Sequence, residues 1–374
     1  MNPLEEFASW SDDDRVYWRA PGVDAMVGLG AARVVEVDGV RRFTAAAAAA
    51  AELLDEGEIA FAGFGFADRP GTGEWEGYPS GRLVVPKRVV RGAALGVSGT
   101  GTNNALRIED STRASYRDTV KHAAEAINAG ELAKVVVART VDAIGPVDPT
   151  DVIARLSRRF ESCVVFGFGR GPLCFLGASP EVLLELQDDL VTTFALAGTA
   201  PRGANSAQDQ ANIDHLISNP KEQSEHRYVV EYLRTRLALA GVDLDPVGPT
   251  EVRTLPGIHH LSTKVTGRIV PEPGGVLRLV GALHPTPAVG GTPTTFAQQW
   301  ISQNEELERG WYAGPVGWID HRGCGSFYVA LRSALASPEG LRLFAGAGIV
   351  ASSDPEQELI ETDLKLTAIL DVVT

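Results

Sequence analysis

Residues 162–198 read SCVVFGFGRGPLCFLGASPEVLLELQDDLVTTFALAG. Four short apolar runs stand out: SCVVFGFG, PLCFLGAS, VLLELQ and LVTTFALAG. Breaks such as Asp188-Asp189 separate them, too short for a crossover helix. Apolar runs of this length bounded by tight turns are strands, and tight turns join antiparallel neighbours. The stretch therefore predicts a largely antiparallel sheet. Outward from it, AKVVVARTVDAI (133–144), GPVGWID, CGSFYVALRSALAS and GLRLFAGAGIV read as further strands, and IAFAGFGFADRPG (59–71) as a strand breaking into a glycine-rich turn. Amphipathic helices are predicted over 115–132, with Gly130 near the end, and over 148–160, with Pro149 in the first turn. Others cover 219–241, 292–307 and 355–373. The run Ala45–Ala51 is a good helix former, with Thr44 as a plausible N-cap and Gly57 as its stop. Strands in runs with helices inserted give an α+β class.

The chain has 374 residues, 44% hydrophobic and 22% charged, which excludes disorder as the main state. Residues 1–110 differ in character from 111–374, where the pattern sharpens. The net charge of −14 argues against a nucleic-acid partner but not against a small anion in a local pocket. Three cysteines, Cys163, Cys174 and Cys324, form no CxxC pair and fit a reduced, cytoplasmic setting. The acidic start predicts no secretory leader, and no run of 18 apolar residues predicts a membrane span. GTGTNN (99–104) lacks a following GK[ST] and reads as a polar connection rather than a phosphate cradle.

Two predicted helices each carry glutamates at i and i+3: Glu222 with Glu225, and Glu358 with Glu361. Each pair shares a helix face, where like charges repel. A solvated acidic face is the ordinary reading. The alternative is that the helices face each other and hold one hard cation such as Mg²⁺. A di-iron site is excluded, since Gln223 stands three residues before His226. The glycine-rich segments GASPE (177–181), LAGT (196–199) and AGAGI (345–349) are tight turns or places where backbone N–H groups can approach an anion.

Together these pieces resemble the chorismate-utilising enzymes. In chain order the resemblance lies in AKVVVAR (133–139), GASPE (177–181), LAGT (196–199), PKEQSEH (220–226) and HLST (260–263). It continues through HPTPAVGG (284–291), RGWYAGPVG (309–317), ALRSA (330–334), AGAGIV (345–350) and PEQELIETDLK (355–365). The resemblance implies one large α+β domain with two stacked, mainly antiparallel sheets flanked by helices. Residues 1–110 would form a variable region of the same body. Lys134 stands where isochorismate and salicylate synthases carry a water-activating lysine, and Ala197 where many aminodeoxychorismate synthases carry a lysine nucleophile. Both points favour water as nucleophile and no glutaminase subunit. Ala288, in AVGG where salicylate synthases typically show TASG, favours isochorismate synthase. Tyr312 and Leu331 occur in both subgroups.

By the same resemblance, Lys134 is the expected general base and Glu181 the general acid. Without it, Lys134 would be a snorkelling lysine and Glu181 a turn carboxylate. Glu225 and Glu361 are the first-choice Mg²⁺ ligands, with Glu222 and Glu358 nearby. The backbone at Gly198, with Thr199, is placed beside the ring carboxylate of chorismate, and His260 near its C4 side. Arg332 and the Gly346 backbone are placed on the enolpyruvyl carboxylate with Lys365 assisting, Tyr312 lines that side, and Leu331 and Ala288 are further expected substrate-binding residues. A monomer is expected. Salicylate synthase, a non-catalytic binder of such anions and an aminating enzyme stay open as alternatives.

Overall fold

The computed structural model describes residues 2–10, 14–93, 106–255 and 258–374. The GTGTNN segment lies outside them. All strand pairings among the described residues are antiparallel. They form two stacked layers that are one continuous ladder. The first layer runs through Thr250–Leu255, Ile258–Arg268, Leu190–Pro201, Val182–Gln187, Gly325–Val329, Pro315–Asp320 and Ile59–Phe64 to Gly81–Gly92. The second runs from Ala25–Val37 through Asp14–Arg19, Val164–Arg170, Leu173–Ser179, Ser333–Ser337 and Gly340–Ile349 to Lys134–Ile144. The long pair Ala25–Val37 with Gly81–Gly92 joins the layers, with a register shift between Ala31 and Arg33. Such a shift bends a strand and strengthens its twist.

Aromatic side chains fill the space between the layers. Trp18 meets Tyr328 edge-on at 5.8 Å, Phe168 meets Trp311 at 5.6 Å and Trp75 meets Phe175 at 5.2 Å between ring centroids. The helices Pro149–Arg159 and Pro355–Val373 cover the outer face of the second layer, where Ile153, Leu156, Leu366 and Ile369 pack on Leu176 and Ala178. Helix Pro220–Leu239 packs along Leu190–Pro201 and Ile258–Arg268. The strands of residues 14–92 pair with Val164–Arg170 and Pro315–Asp320, so this region belongs to the same body.

The four strands of the opening stretch fall where the sequence places them, as Val164–Arg170, Leu173–Ser179, Val182–Gln187 and Leu190–Pro201. Asp188 takes a left-handed φ of 51° in the last hairpin. The middle two do not pair with each other. Leu173–Ser179 belongs to the second layer and Val182–Gln187 to the first, so the chain crosses between layers at Ser179-Pro180-Glu181. A second crossing splits CGSFYVALRSALAS into Gly325–Val329 and Ser333–Ser337, with Arg332 at φ 47°. Two expectations need correction: Gly57 is not the stop, since the helix ends at Leu53 with Leu54 N–H closing on Ala50 C=O, and Thr44 is not a cap. Helix Arg42–Leu53 starts earlier, after Arg41, and the Thr44 hydroxyl bonds back to Arg41 C=O at 2.9 Å. The buried Arg42 guanidinium reaches the carbonyls of Gly65 and Phe66 and draws the first turn inward. The three cysteines are free and buried, and no helix among the described residues is long and apolar enough to cross a membrane.

Candidate active site

The two crossings lie side by side and are bonded together. Val329 N–H donates to Glu181 C=O at 3.0 Å, Ser179 Oγ to Val329 C=O at 2.5 Å and Ala178 N–H to Arg332 C=O at 3.1 Å. Glu181, Leu331 and Arg332 therefore come together from positions 150 residues apart. Pro180 supplies no N–H and ends pairing there. Burial pushes the Glu181 carboxyl from its ordinary 4.5 up to about 7, against the pull of Lys365, Arg253 and Lys134. A neutral carboxyl near pH 7 can donate a proton. Burial also lowers the pKa of Arg332, whose guanidinium contacts the Cys163 sulfur at 3.9 Å and lacks a carboxylate partner among the described residues.

Lys134 opens the strand Lys134–Ile144, and its side chain needs the bareness of the neighbouring strand. A Cβ on Gly348 would lie 2.8 Å from Lys134 Cε, and one on Gly346 would lie 3.1 Å from the Tyr312 hydroxyl oxygen. Tyr312 is buried and stacked on Phe344 at 5.3 Å, and burial raises its pKa. Ala288 sits half-buried in a turn closed by Val289 and Gly290 N–H groups on Thr286 C=O.

On the first layer, Gly198 occupies a bulge at φ 75°, a conformation that favours glycine. Its C=O accepts from His260 Nδ1 at 3.1 Å, the same nitrogen that lies 3.1 Å from Thr199 Oγ1. Burial lowers the His260 pKa to about 4, with Lys365 and Arg332 adding to it. The imidazole is thus neutral at pH 7. Glu222 Oε2 accepts from Thr199 N–H at 3.0 Å.

Two of the four glutamates are paired with lysines. Glu225 Oε1 pairs with Lys134 Nζ at 2.7 Å, and Glu361 Oε1 with Lys365 Nζ at 2.7 Å. Lys365 Nζ also donates to Gly346 C=O at 2.8 Å. Burial, helped by Glu361, raises the Glu358 pKa. No three acidic, His or Cys side chains converge as a metal-holding group among the described residues. The donor set is carboxylate oxygen throughout, which suits a hard divalent cation that takes the rest of its shell from water and an anionic substrate.

Sequence reasoning missed Arg253. It lies directly opposite His260, which lies opposite Thr199. Directly opposed residues of antiparallel strands share a face, so Arg253 is on the same side of the sheet as His260 and Thr199. Its guanidinium stands 5.9 Å from the Phe194 ring and has no carboxylate partner among the described residues. Nothing in TEVRTL marks this arginine; only the pairing of its strand with HLST brings it here.

Residues 95–374 match the family model described as chorismate binding enzyme. The chain belongs to this family. It is 33% identical to the salicylate biosynthesis isochorismate synthase of Pseudomonas aeruginosa, across 100% of this chain and 88% of that one. It is 36% identical to a putative isochorismate synthase MenF of Mycobacterium tuberculosis, across 77% of this chain and 81% of that one. Among solved structures, the putative 2,3-dihydroxybenzoate-specific isochorismate synthase DhbC of Bacillus anthracis superposes with a TM-score of 0.83 at 27% identity, covering 99% of both chains. The menaquinone-specific isochorismate synthase MenF of Escherichia coli gives 0.82 at 27% identity, covering 100% of this chain and 92% of the other. The protein is therefore an enzyme, and its relatives include isochorismate synthases of several pathways.

Proposed function

We propose that the protein is a Mg²⁺-dependent isochorismate synthase. The observation that carries this reading is the placement of Glu181 at the layer crossing, where Lys134, Lys365 and Arg253 are the charges that act on its carboxyl and burial pushes its pKa up. Isomerisation of chorismate adds a water oxygen at C2, shifts the ring double bonds and breaks the C4–O bond. Lys134 Nζ accepts the proton from the attacking water. Glu181 delivers its proton to the departing C4 oxygen, which leaves as water. Both transfers are of the kind worth roughly 10²- to 10⁴-fold each. The identity of the nucleophile rests on Lys134 and Ala197, which favour water over ammonia.

Glu225, Glu361, Glu222 and Glu358 would hold Mg²⁺, which would cancel repulsion between the acidic cleft and the ring carboxylate. Lys134 Nζ is engaged by Glu225 at 2.7 Å, so assigning Glu225 to the cation would also release the Lys134 amine toward the attacking water. Arg332, which has no carboxylate partner among the described residues, would bind the enolpyruvyl carboxylate through its guanidinium fork. Lys365 would remain beside Gly346 C=O, and Tyr312 would close the apolar side.

The direct test incubates the purified protein with chorismate and Mg²⁺ and identifies products by chromatography and mass. Isochorismate in equilibrium with chorismate, lost on chelation and free of pyruvate, is expected. Pyruvate with salicylate would move the protein to the salicylate synthases and remove the weight placed on Ala288. Binding without turnover would leave only an anion-binding role.

A further inference from the structure

The Lys134 strand pairs with Gly340–Ile349 along its length on one side. On the other side only its ends have strand partners among the described residues. Lys134 and Val135 face Thr292 and Gly291, and Asp142 to Ile144 face Glu109 to Arg107. Between them lies an edge of backbone groups that must be satisfied in a buried place. Val136 N–H reaches Gly290 C=O at 3.0 Å, and Thr140 C=O accepts from the Thr112 hydroxyl at 2.8 Å.

Two side chains hold the middle of that edge. Glu305 Oε1 accepts from Ala138 N–H at 2.8 Å, and Arg309 Nη2 donates to Val136 C=O at 2.7 Å. The two are joined fork to fork, with Nε to Oε2 at 2.7 Å, and their side chains are only 3% and 4% exposed. Arg309 reaches further. Its Nη1 donates to Val289 C=O at 3.1 Å, its guanidinium lies 4.2 Å from the Phe66 ring centroid, and its own C=O accepts from Tyr312 N–H at 2.9 Å. Ala138 lies directly across from Gly346.

We propose that Glu305 and Arg309 act as a surrogate strand, a buried ion pair whose acceptor and donor complete the open edge beside Lys134 and set that lysine's position against the Ala288 turn and Tyr312. The proposal rests on the isochorismate synthase reading, which makes Lys134 the base. A buried ion pair contributes little net stability, because desolvation offsets most of its attraction. What an apolar pair could not supply is the matched acceptor for Ala138 and donor for Val136. Val136 is two residues from Lys134, and a 1 Å error in a reacting group costs on the order of 10²-fold in rate. Both residues are positioning residues, since neither reaches the cleft chemistry itself.

The test compares wild type with the double variant Glu305→Gln/Arg309→Met. This change leaves no unpaired buried charge, keeps an acceptor for Ala138 and removes the donor for Val136. Turnover of chorismate, amide hydrogen exchange over residues 134–141 and thermal melting are measured on the same samples. A cooperative melt is expected, with exchange in that segment at least about 10-fold faster. The kcat is expected to fall at least roughly 30-fold, by more than KM rises. A kcat within about threefold of wild type would overturn the proposal, as would a lost kcat with residues 134–141 as protected as before. If the double variant does not fold, Arg309→Lys, which keeps the charge but not the fork, is read by the same criteria. Wild-type protein that fails to convert chorismate would refute the functional reading instead, while the exchange comparison still decides whether the pair holds the strand.

Discussion

Glu181→Gln separates the catalytic and the structural consequences of one buried carboxyl. In the folded protein Glu181 keeps its proton up to about pH 7, whereas its ordinary value is 4.5. Burial is the largest cause, opposed by Lys365, Arg253 and Lys134. Between those two pH values the folded state binds more protons than the unfolded state, so stability falls as pH rises. At 1.36 kcal/mol per pH unit, a window of roughly 2.5 units amounts to about 3 kcal/mol lost by pH 8. Glutamine has nearly the same shape and cannot ionise, so the variant escapes this loss. It should match wild type near pH 4.5 and exceed it by up to about 3 kcal/mol at pH 8, while turnover falls at least roughly 10²-fold. Urea unfolding at a series of pH values, beside the turnover assay, reads both effects. A wild-type-minus-variant stability difference that stays flat from pH 5 to 8 would refute the buried neutral acid. Near-wild-type turnover would remove Glu181 from its role even if the stability trend appeared.

Lys134→Ala should remain folded and lose at least roughly 10²-fold in turnover. Gly348→Ala tests the same base indirectly, since its Cβ would fall 2.8 Å from Lys134 Cε; a turnover equal to wild type would show that the lysine has other room. Arg253→Ala removes one of the cations that hold the Glu181 pKa down, so the alkaline limb of the pH–rate profile should move upward. An unmoved limb, with unchanged KM, would place Arg253 outside the site. Glu361→Gln should weaken the Mg²⁺ dependence measured by metal titration of turnover, and an unchanged titration would put the metal elsewhere.

The glutamate pairs show where reading by residue pattern stops. Spacing of three puts Glu222 with Glu225, and Glu358 with Glu361, on one face of each helix. Spacing of four likewise sets Lys365 against Glu361 one turn along the same helix, but it does not say that Lys134 lies against Glu225. That second pair depends on a helix and a strand meeting from distant parts of the chain. Arg253, Glu305 and Arg309 were illegible for the same reason. Arg253 matters through its register with His260 and Thr199, and the other two through a gap in strand pairing that no local pattern reveals.

Strand and helix positions were open to the sequence because they follow from local periodicity and punctuation, from the run at 162–198 to the helix Pro355–Val373. The ten motifs likewise placed the chain in its family. Only the tertiary structure decided that neighbouring strands such as Leu173–Ser179 and Val182–Gln187 part company into different layers. That parting places Glu181 beside Arg332 and buries it enough to keep its proton. The physical reason is range. Backbone preference and side-chain alternation act over a few residues and are written locally, whereas burial and electrostatic coupling depend on every segment that arrives at one point.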